Sequence, residues 1–187
     1  PSVLPAFHQR SRTDEASLGQ TVWVLAQDSC YAVDTVTGEI VWRRVIGGDP
    51  AFPPVITRGS PAGWLLFDRR TGELVHCRSD NGQTLWRLAL SAPPRGAPLV
   101  EQGQIYLATA DRKLLRIDQE TGALSSGLQF AQDVIGPPTV DAAGDHLFLT
   151  GSRGLIYALS MRPLECVAVT FTDHAEGAIA APLATLG

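Results

Sequence analysis

The chain has 187 residues, 44% hydrophobic and 18% charged, with a mean hydropathy of +0.05: it holds enough apolar side chains for a sizeable core and is not disordered. Its net charge of −4 and pI near 5.5 argue against nucleic acid or an anionic membrane as principal partner. The positive charge is almost all arginine, Lys113 being the one lysine.

Residues 1–20 form a polar N-terminal extension, with Arg10-Ser11-Arg12-Thr13-Asp14-Glu15 and no apolar signal-peptide run. No stretch approaches a membrane span. Pro1 at the start and Met161 as the sole methionine lead to the expectation of a processed, truncated or excised chain. Alternation and turn chemistry then predict strands throughout. A first unit, about 21–47, carries Thr21–Ala26, Cys30–Asp34 and Glu39–Val45. A second, about 52–92, carries Pro54–Thr57, Trp64–Phe67, Glu73–Arg78 and Thr84–Ala89. A third, about 97–132, carries Leu99–Glu101, Gln104–Ala108, Leu114–Asp118 and Ala123–Gln129. A fourth, about 137–172, carries Thr139–Val140, His146–Thr150, Leu155–Ser160 and Glu165–Thr170. Gly- and Pro-rich stretches such as Gly47-Gly48-Asp49-Pro50 and Ser91-Ala92-Pro93-Pro94-Arg95-Gly96 read as connectors between units. No segment sustains a helical period.

Two markers give the period. The turn glycines Gly38, Gly82 and Gly122 are 44 and 40 residues apart, and the openings Pro54-Val55, Pro98-Leu99, Pro138-Thr139 and Pro182-Leu183 repeat at 44, 40 and 44. Short strands repeating every 40–45 residues predict an all-β chain of four-stranded antiparallel β-propeller blades, about four of them. The segment 178–186 reads as the inner strand of a fifth unit, whereas the first unit lacks an inner strand. Three arrangements fit: a partial larger propeller, a small ring closed by the C-terminal strand, and a pair of half-rings that would make the chain a homo-oligomer.

The turn that sets this period belongs to a longer string. Ala32-x-Asp34-x-x-Thr37-Gly38-x-x-x-Trp42 is complete; the second copy keeps Gly82 and Trp86 but has His76 for Ala and Arg78 for Asp. The third keeps Asp118, Thr121 and Gly122 but has Arg116 for Ala and Ser126 for Trp, and the fourth loses both Thr-Gly and Trp. Glycine supplies positive φ at the hairpin, the aspartates accept from turn amides, and the indoles are placed to wedge against the neighbouring blade. This string resembles the docking motif of the pyrroloquinoline-quinone (PQQ) type of propeller repeat, a family of quinoprotein dehydrogenases and BamB-like, non-catalytic scaffolds. The likeness runs from about Thr21 to the end of the chain.

The resemblance implies either a protein-interaction scaffold of a bacterial envelope assembly, in the periplasm or otherwise outside the cytoplasm, or a segment of a PQQ-dependent oxidoreductase. Quinoproteins of this kind commonly hold their cofactor with a vicinal Cys-Cys pair, calcium and an aspartate base. This chain has no Cys-Cys and no acidic calcium loop, so no cofactor, metal or catalytic residue is assigned and the scaffold reading is preferred. Asp173-His174-Ala175-Glu176 reads as a solvated connector in preference to a metal site, and Gly151-Ser152-Arg153-Gly154 as a hairpin turn. The expected partners are a protein or the remaining propeller blades. Arg69 and Arg70, on a predicted hairpin, are the candidate partner contacts, weighed against a solvated turn. Arg43 and Arg87, beside the docking tryptophans, suggest stacking on a neighbouring blade. Cys30 and Cys77 fall on equivalent strands with an odd offset, so they face opposite sides of their sheets and a disulfide is not expected. All three cysteines, Cys166 included, are expected to be buried apolar-like residues.

Overall fold

The computed structural model describes residues 21–48, 51–59, 62–176, 178, 179 and 183. These residues form fifteen strands and no helix. They are β1 (Thr21–Ala26), β2 (Ser29–Asp34), β3 (Ile40–Val45), β4 (Val55–Thr57), β5 (Gly63–Asp68), β6 (Glu73–Arg78), β7 (Thr84–Ala89) and β8 (Leu99–Glu101). There follow β9 (Gln104–Thr109), β10 (Lys113–Asp118), β11 (Leu124–Gln129), β12 (Val134–Val140), β13 (His146–Gly151), β14 (Leu155–Met161) and β15 (Leu164–Phe171). Each strand pairs antiparallel with its chain neighbour, giving sheets β1–β2–β3, β4–β5–β6–β7, β8–β9–β10–β11 and β12–β13–β14–β15. The chain is thus all-β with the blade connectivity of a propeller. The expected extension over 1–20 lies outside the described residues, as does most of the expected strand 178–186.

Two compact units, Pro1–Leu90 and Ser91–Gly187, hold two sheets each. In the first, Cys30, Ala32, Trp42 and Ile46 pack with Trp64, Leu66 and Cys77 in a shared core. In the second, Tyr106, Ala108, Leu114 and Phe130 pack with Leu147, Leu149, Tyr157, Leu159 and Met161. Central strands read as apolar runs because both faces are covered; every residue of β5 is buried. Edge strands alternate instead, so β7 buries Trp86 between exposed Leu85 and Arg87.

A feature absent from the sequence reading repeats in all four sheets. The register between the last two strands of each sheet slips by one residue at Ala32/Val33, His76/Cys77, Arg116/Ile117 and Ala158/Leu159. The bulged residues are Val41, Leu85, Ser125 and Val167, and the three large apolar side chains among them, Val41, Leu85 and Val167, stand exposed. The bulge survives in the fourth sheet, where the string itself has worn away, so it marks the repeat more durably than the tryptophan does.

Two expectations need correction. Strand β12 starts at Val134, five residues before the predicted Thr139, because the connector itself pairs with β13 through Val134↔Gly151 and Ile135↔Thr150 before the register shifts. The equivalent connector in the third sheet makes one isolated bridge, Pro94↔Thr109, since proline has no N–H to extend a ladder. Cys166 is exposed, not buried: it sits on β15, the outer edge strand, whose residues are exposed from Glu165 onward. Cys30 and Cys77 do face opposite sides of their sheets, but the sheets are adjacent, so those sides meet and both thiols enter one core. Neither is oxidised.

Candidate functional site

The turn that opens the docking string is built by its aspartate. Asp34 Oδ1 accepts from the amides of Val36 (2.7 Å) and Thr37 (2.9 Å), and Gly38, at φ 74°, donates its N–H to the Asp34 carbonyl at 2.9 Å. Those amide bonds, Thr37 first, hold the Asp34 carboxyl below its ordinary pKa. Asp118 repeats the arrangement, its Oδ1 accepting from Thr121 N (2.8 Å) and Thr121 Oγ1 (2.7 Å), with its pKa lowered chiefly by the threonine hydroxyl. In the second copy the work is divided. Arg78, in the aspartate's place, forks onto Asp80 at 2.9 and 2.7 Å, and Asn81 Oδ1 accepts from Gln83 N at 2.9 Å.

Trp42 lies directly across the ladder from Ala32, whose small side chain leaves the indole room to lean toward the second sheet. There it lies against the turn glycine Gly82, where a Cβ would stand 2.7 Å from Trp42 Cγ, so the indole occupies a side chain's place. Its Nε1 donates to the Ser79 carbonyl at 3.2 Å. Arg44, two residues on and therefore on the same face, donates through Nη2 to the Gly82 carbonyl at 2.9 Å and to Thr84 Oγ1 at 2.8 Å. Trp42, Gly82, Ser79, Arg44 and Thr84 are one docking site between β1–β3 and β4–β7.

Arg43 and Arg87 depart from the expectation of a neighbouring blade. Arg43 sits 5.5 Å over the Tyr31 ring and donates to Ser29 Oγ at 3.1 Å, all within its own sheet. Arg87 pairs with Glu73 of its own sheet at 2.9 Å. Both lie one residue from the tryptophan and so on the opposite face, and Arg44 makes the contact assigned to Arg43.

The second copy stacks differently. His76 opposes Trp86, their ring centroids 5.2 Å apart and tilted by 53°. Thr57 Oγ1 lies 2.8 Å from His76 Nε2, Nδ1 has no hydrogen-bond partner, and the residue is 2% exposed. Gly63 makes this possible, since a Cβ there would stand 2.5 Å from Nε2. Burial pushes the imidazole down to about 4, so it is neutral at pH 7. Burial likewise pushes Cys30 up to about 12, with Cys77 nearby adding to the shift, and Cys77 up to about 11; both thiols are inert.

Arg69 and Arg70 occupy the β5–β6 turn and are exposed. Both are tied to the connector that follows β3. Arg69 N donates to the Ile46 carbonyl at 3.0 Å and Arg69 Nη1 to the Gly48 carbonyl at 3.3 Å. Gly47 approaches the turn so closely that a Cβ would stand 3.3 Å from Arg70 Cγ. Arg70 pairs with the buried Asp68 at 3.4 Å. The sequence reading missed that Asp68-Arg69-Arg70-Thr71-Gly72 is itself an Asp-x-x-Thr-Gly turn: Gly72 N donates to the Asp68 carbonyl at 2.8 Å, as Gly38 does to Asp34. The signal was visible, but it lies one hairpin earlier in its sheet than the register led one to look.

Among the described residues no group of three or more His, Cys, Asp or Glu side chains is placed to hold a metal ion, and no helix is long and apolar enough to cross a membrane. Comparison with known proteins gives a family and a fold. The family described as outer membrane protein assembly factor BamB matches residues 26–163. The fold is similar to the crystal structure of BamB from Moraxella catarrhalis, with a TM-score of 0.66 and 19% identity, over 81% of this chain and 49% of that one. The chain thus spans about half the length of the solved structure it matches. No curated protein matches the sequence.

Proposed function

Since the chain belongs to the family of the outer membrane protein assembly factor BamB, we propose that it is a non-catalytic β-propeller scaffold that binds protein in a bacterial envelope assembly, outside the cytoplasm. The observation that carries the reading is the use made of its chemistry-bearing side chains. The tryptophan, the turn aspartates and the arginines beside them hold turns and join sheets: Trp42 to Ser79, Arg44 to Gly82 and Thr84, Asp34 to Val36 and Thr37. A chain built this way offers rigid sheets carrying exposed turns, on which binding residues are commonly placed. Arg69 and Arg70 are the proposed partner contacts: both are exposed on the β5–β6 turn, Arg69 held by the connector and Arg70 by Asp68, so each has little side-chain freedom left to lose on binding.

The test is photo-crosslinking in bacterial cells that produce the chain, with a crosslinker at position 69 or 70. The expected product joins it to a component of the outer-membrane protein assembly machinery and fractionates with the periplasm. Crosslinking only to cytoplasmic proteins would overturn the envelope reading. Addition of PQQ with calcium, followed by dye-linked alcohol oxidation, tests the enzymatic reading; turnover would overturn the non-catalytic one.

A further inference from the structure

We propose that the seam between the sheets β8–β11 and β12–β15 binds an anionic oxygen group, a carboxylate or a phosphate, between Arg116 and Arg162. Across the ladder beside the bulge, the first and third sheets exchange the sizes of an opposed pair. In the first sheet a small residue, Ala32, opposes a large one, Trp42; in the third, at the same positions beside the same bulge, Arg116 opposes Ser126. The docking indole is gone, and a cation stands opposite the place it would occupy.

Register fixes which way this cation faces. Tyr106, Arg116 and Ser126 lie side by side across β9, β10 and β11 and share one face. Tyr106 is 1% exposed and packs with Leu147, Leu149, Leu159 and Met161 of the fourth sheet, so that face is the seam. Gln104, on the same face, accepts from Arg116 Nε at 3.0 Å and orients the guanidinium; its terminal nitrogens have no acceptor among the described residues. Ser126 Oγ is sealed from solvent and has no hydrogen-bond partner. A buried hydroxyl left unpaired is unfavourable, and a ligand oxygen would pair it.

The second cation comes from the facing sheet. Arg162, in the link between β14 and β15, donates Nη2 to Gln102 Oε1, which brings its guanidinium to the β8–β9 turn. Burial raises the pKa of the Tyr106 hydroxyl, the charges of Arg116 and Arg162 act against that rise, and Glu101 adds to it. The carboxylates of Asp118 and Glu101 do not close the site. Asp118 is spent on its own turn and on Gln104 Nε2 at 3.5 Å, and Glu101 supplies one negative charge against two guanidinium groups. Two guanidinium forks, a phenol and an unpaired hydroxyl suit an oxyanion, which accepts several hydrogen bonds at once. Arg162 is exposed, so the seam opens to solvent at this end.

The ligand source is decided by two titrations followed calorimetrically at constant ionic strength, one with inorganic phosphate and one with an N-acetylated tetraglutamate peptide. Saturable binding of either supports the site; phosphate alone points to a free anion, the peptide alone to an acidic segment of a partner. Binding is expected to weaken at least tenfold in Arg116→Gln and in Arg162→Gln, the latter an exposed change that leaves the core untouched. The double change Arg116→Ala with Ser126→Trp rebuilds the first sheet's pair and is expected to abolish binding. Absence of binding to both probes, or binding that Arg162→Gln and Arg116→Gln leave unchanged, would overturn the proposal.

Discussion

His76 makes the stability of the first unit depend on pH in a window where few other groups titrate. In the unfolded chain the imidazole takes up a proton near 6.5; in the fold, buried against Trp86 with Thr57 on Nε2, it does so only near 4. Between those values the unfolded chain holds more protons, so stability falls as pH falls through the window, and the loss is complete below it. At 1.36 kcal/mol per unit, the whole window is worth roughly 3 kcal/mol, and the interval from pH 6.5 to 5 roughly half of that. The carboxylates with lowered pKa values, Asp34, Glu73, Asp80, Asp111, Asp118 and Asp141, lose their contributions at lower pH, as each passes from its unfolded toward its folded value. The measurement is urea unfolding by circular dichroism at pH 7, 6 and 5 for the natural chain and for His76→Ala, which installs the alanine found under Trp42. The natural chain is expected to lose about 1–2 kcal/mol from pH 6.5 to 5, and the variant, though less stable at pH 7, to stay nearly flat. Equal slopes in the two proteins would refute the reasoning.

Two further outcomes follow from side-chain direction and burial. Arg44→Ala should cost about 2 kcal/mol, the loss of charge-assisted bonds to Gly82 and Thr84, and Arg43→Ala about 1 kcal/mol, the loss of an exposed cation–π contact and of the bond to Ser29 Oγ, which keeps its own bond to Asp28. Denaturant midpoints in the reverse order would contradict the assignment of the docking arginine. With an aromatic disulfide reagent at pH 7.5, the folded chain should yield one prompt thiol, Cys166, and the unfolded chain three; prompt reaction of Cys30 or Cys77 would show that their core is open.

Much of the fold was legible because glycine and proline fix backbone geometry locally. The hairpin glycines at 38, 82 and 122 all take positive φ, between 67° and 74°, and the hairpins they close fell where the period put them. What the period did not carry was the identity of the neighbour. The side chain beside a tryptophan in sequence lies on the other face of its strand, so Arg43 was the wrong arginine and Arg44 the one that reaches the next sheet. The same limit governed the cysteines: opposite faces of one sheet are remote, but opposite faces of adjacent sheets touch. Ser126 and Arg116 each read as wear in the motif when taken singly, and only the ladder shows them as one exchanged pair. The bulges were invisible because in three of the four sheets the extra residue is the second of its strand, which leaves a single residue beyond it to show the change of phase.

The central claim is that the string from Ala32 to Trp42 exists to join one sheet to the next, and a double-mutant cycle between Trp42 and Gly82 addresses it most directly. Gly82→Ala should cost about 3 kcal/mol, part from positive φ and part from a Cβ 2.7 Å from the indole, whereas Gly38→Ala, at a similar φ with nothing within 4 Å, should cost only the backbone part, about 1–2 kcal/mol. In a Trp42→Ala background the Gly82→Ala cost is predicted to fall to that of Gly38→Ala, a coupling of at least about 1 kcal/mol. Additive costs, with Gly82→Ala no worse than Gly38→Ala in either background, would contradict the account.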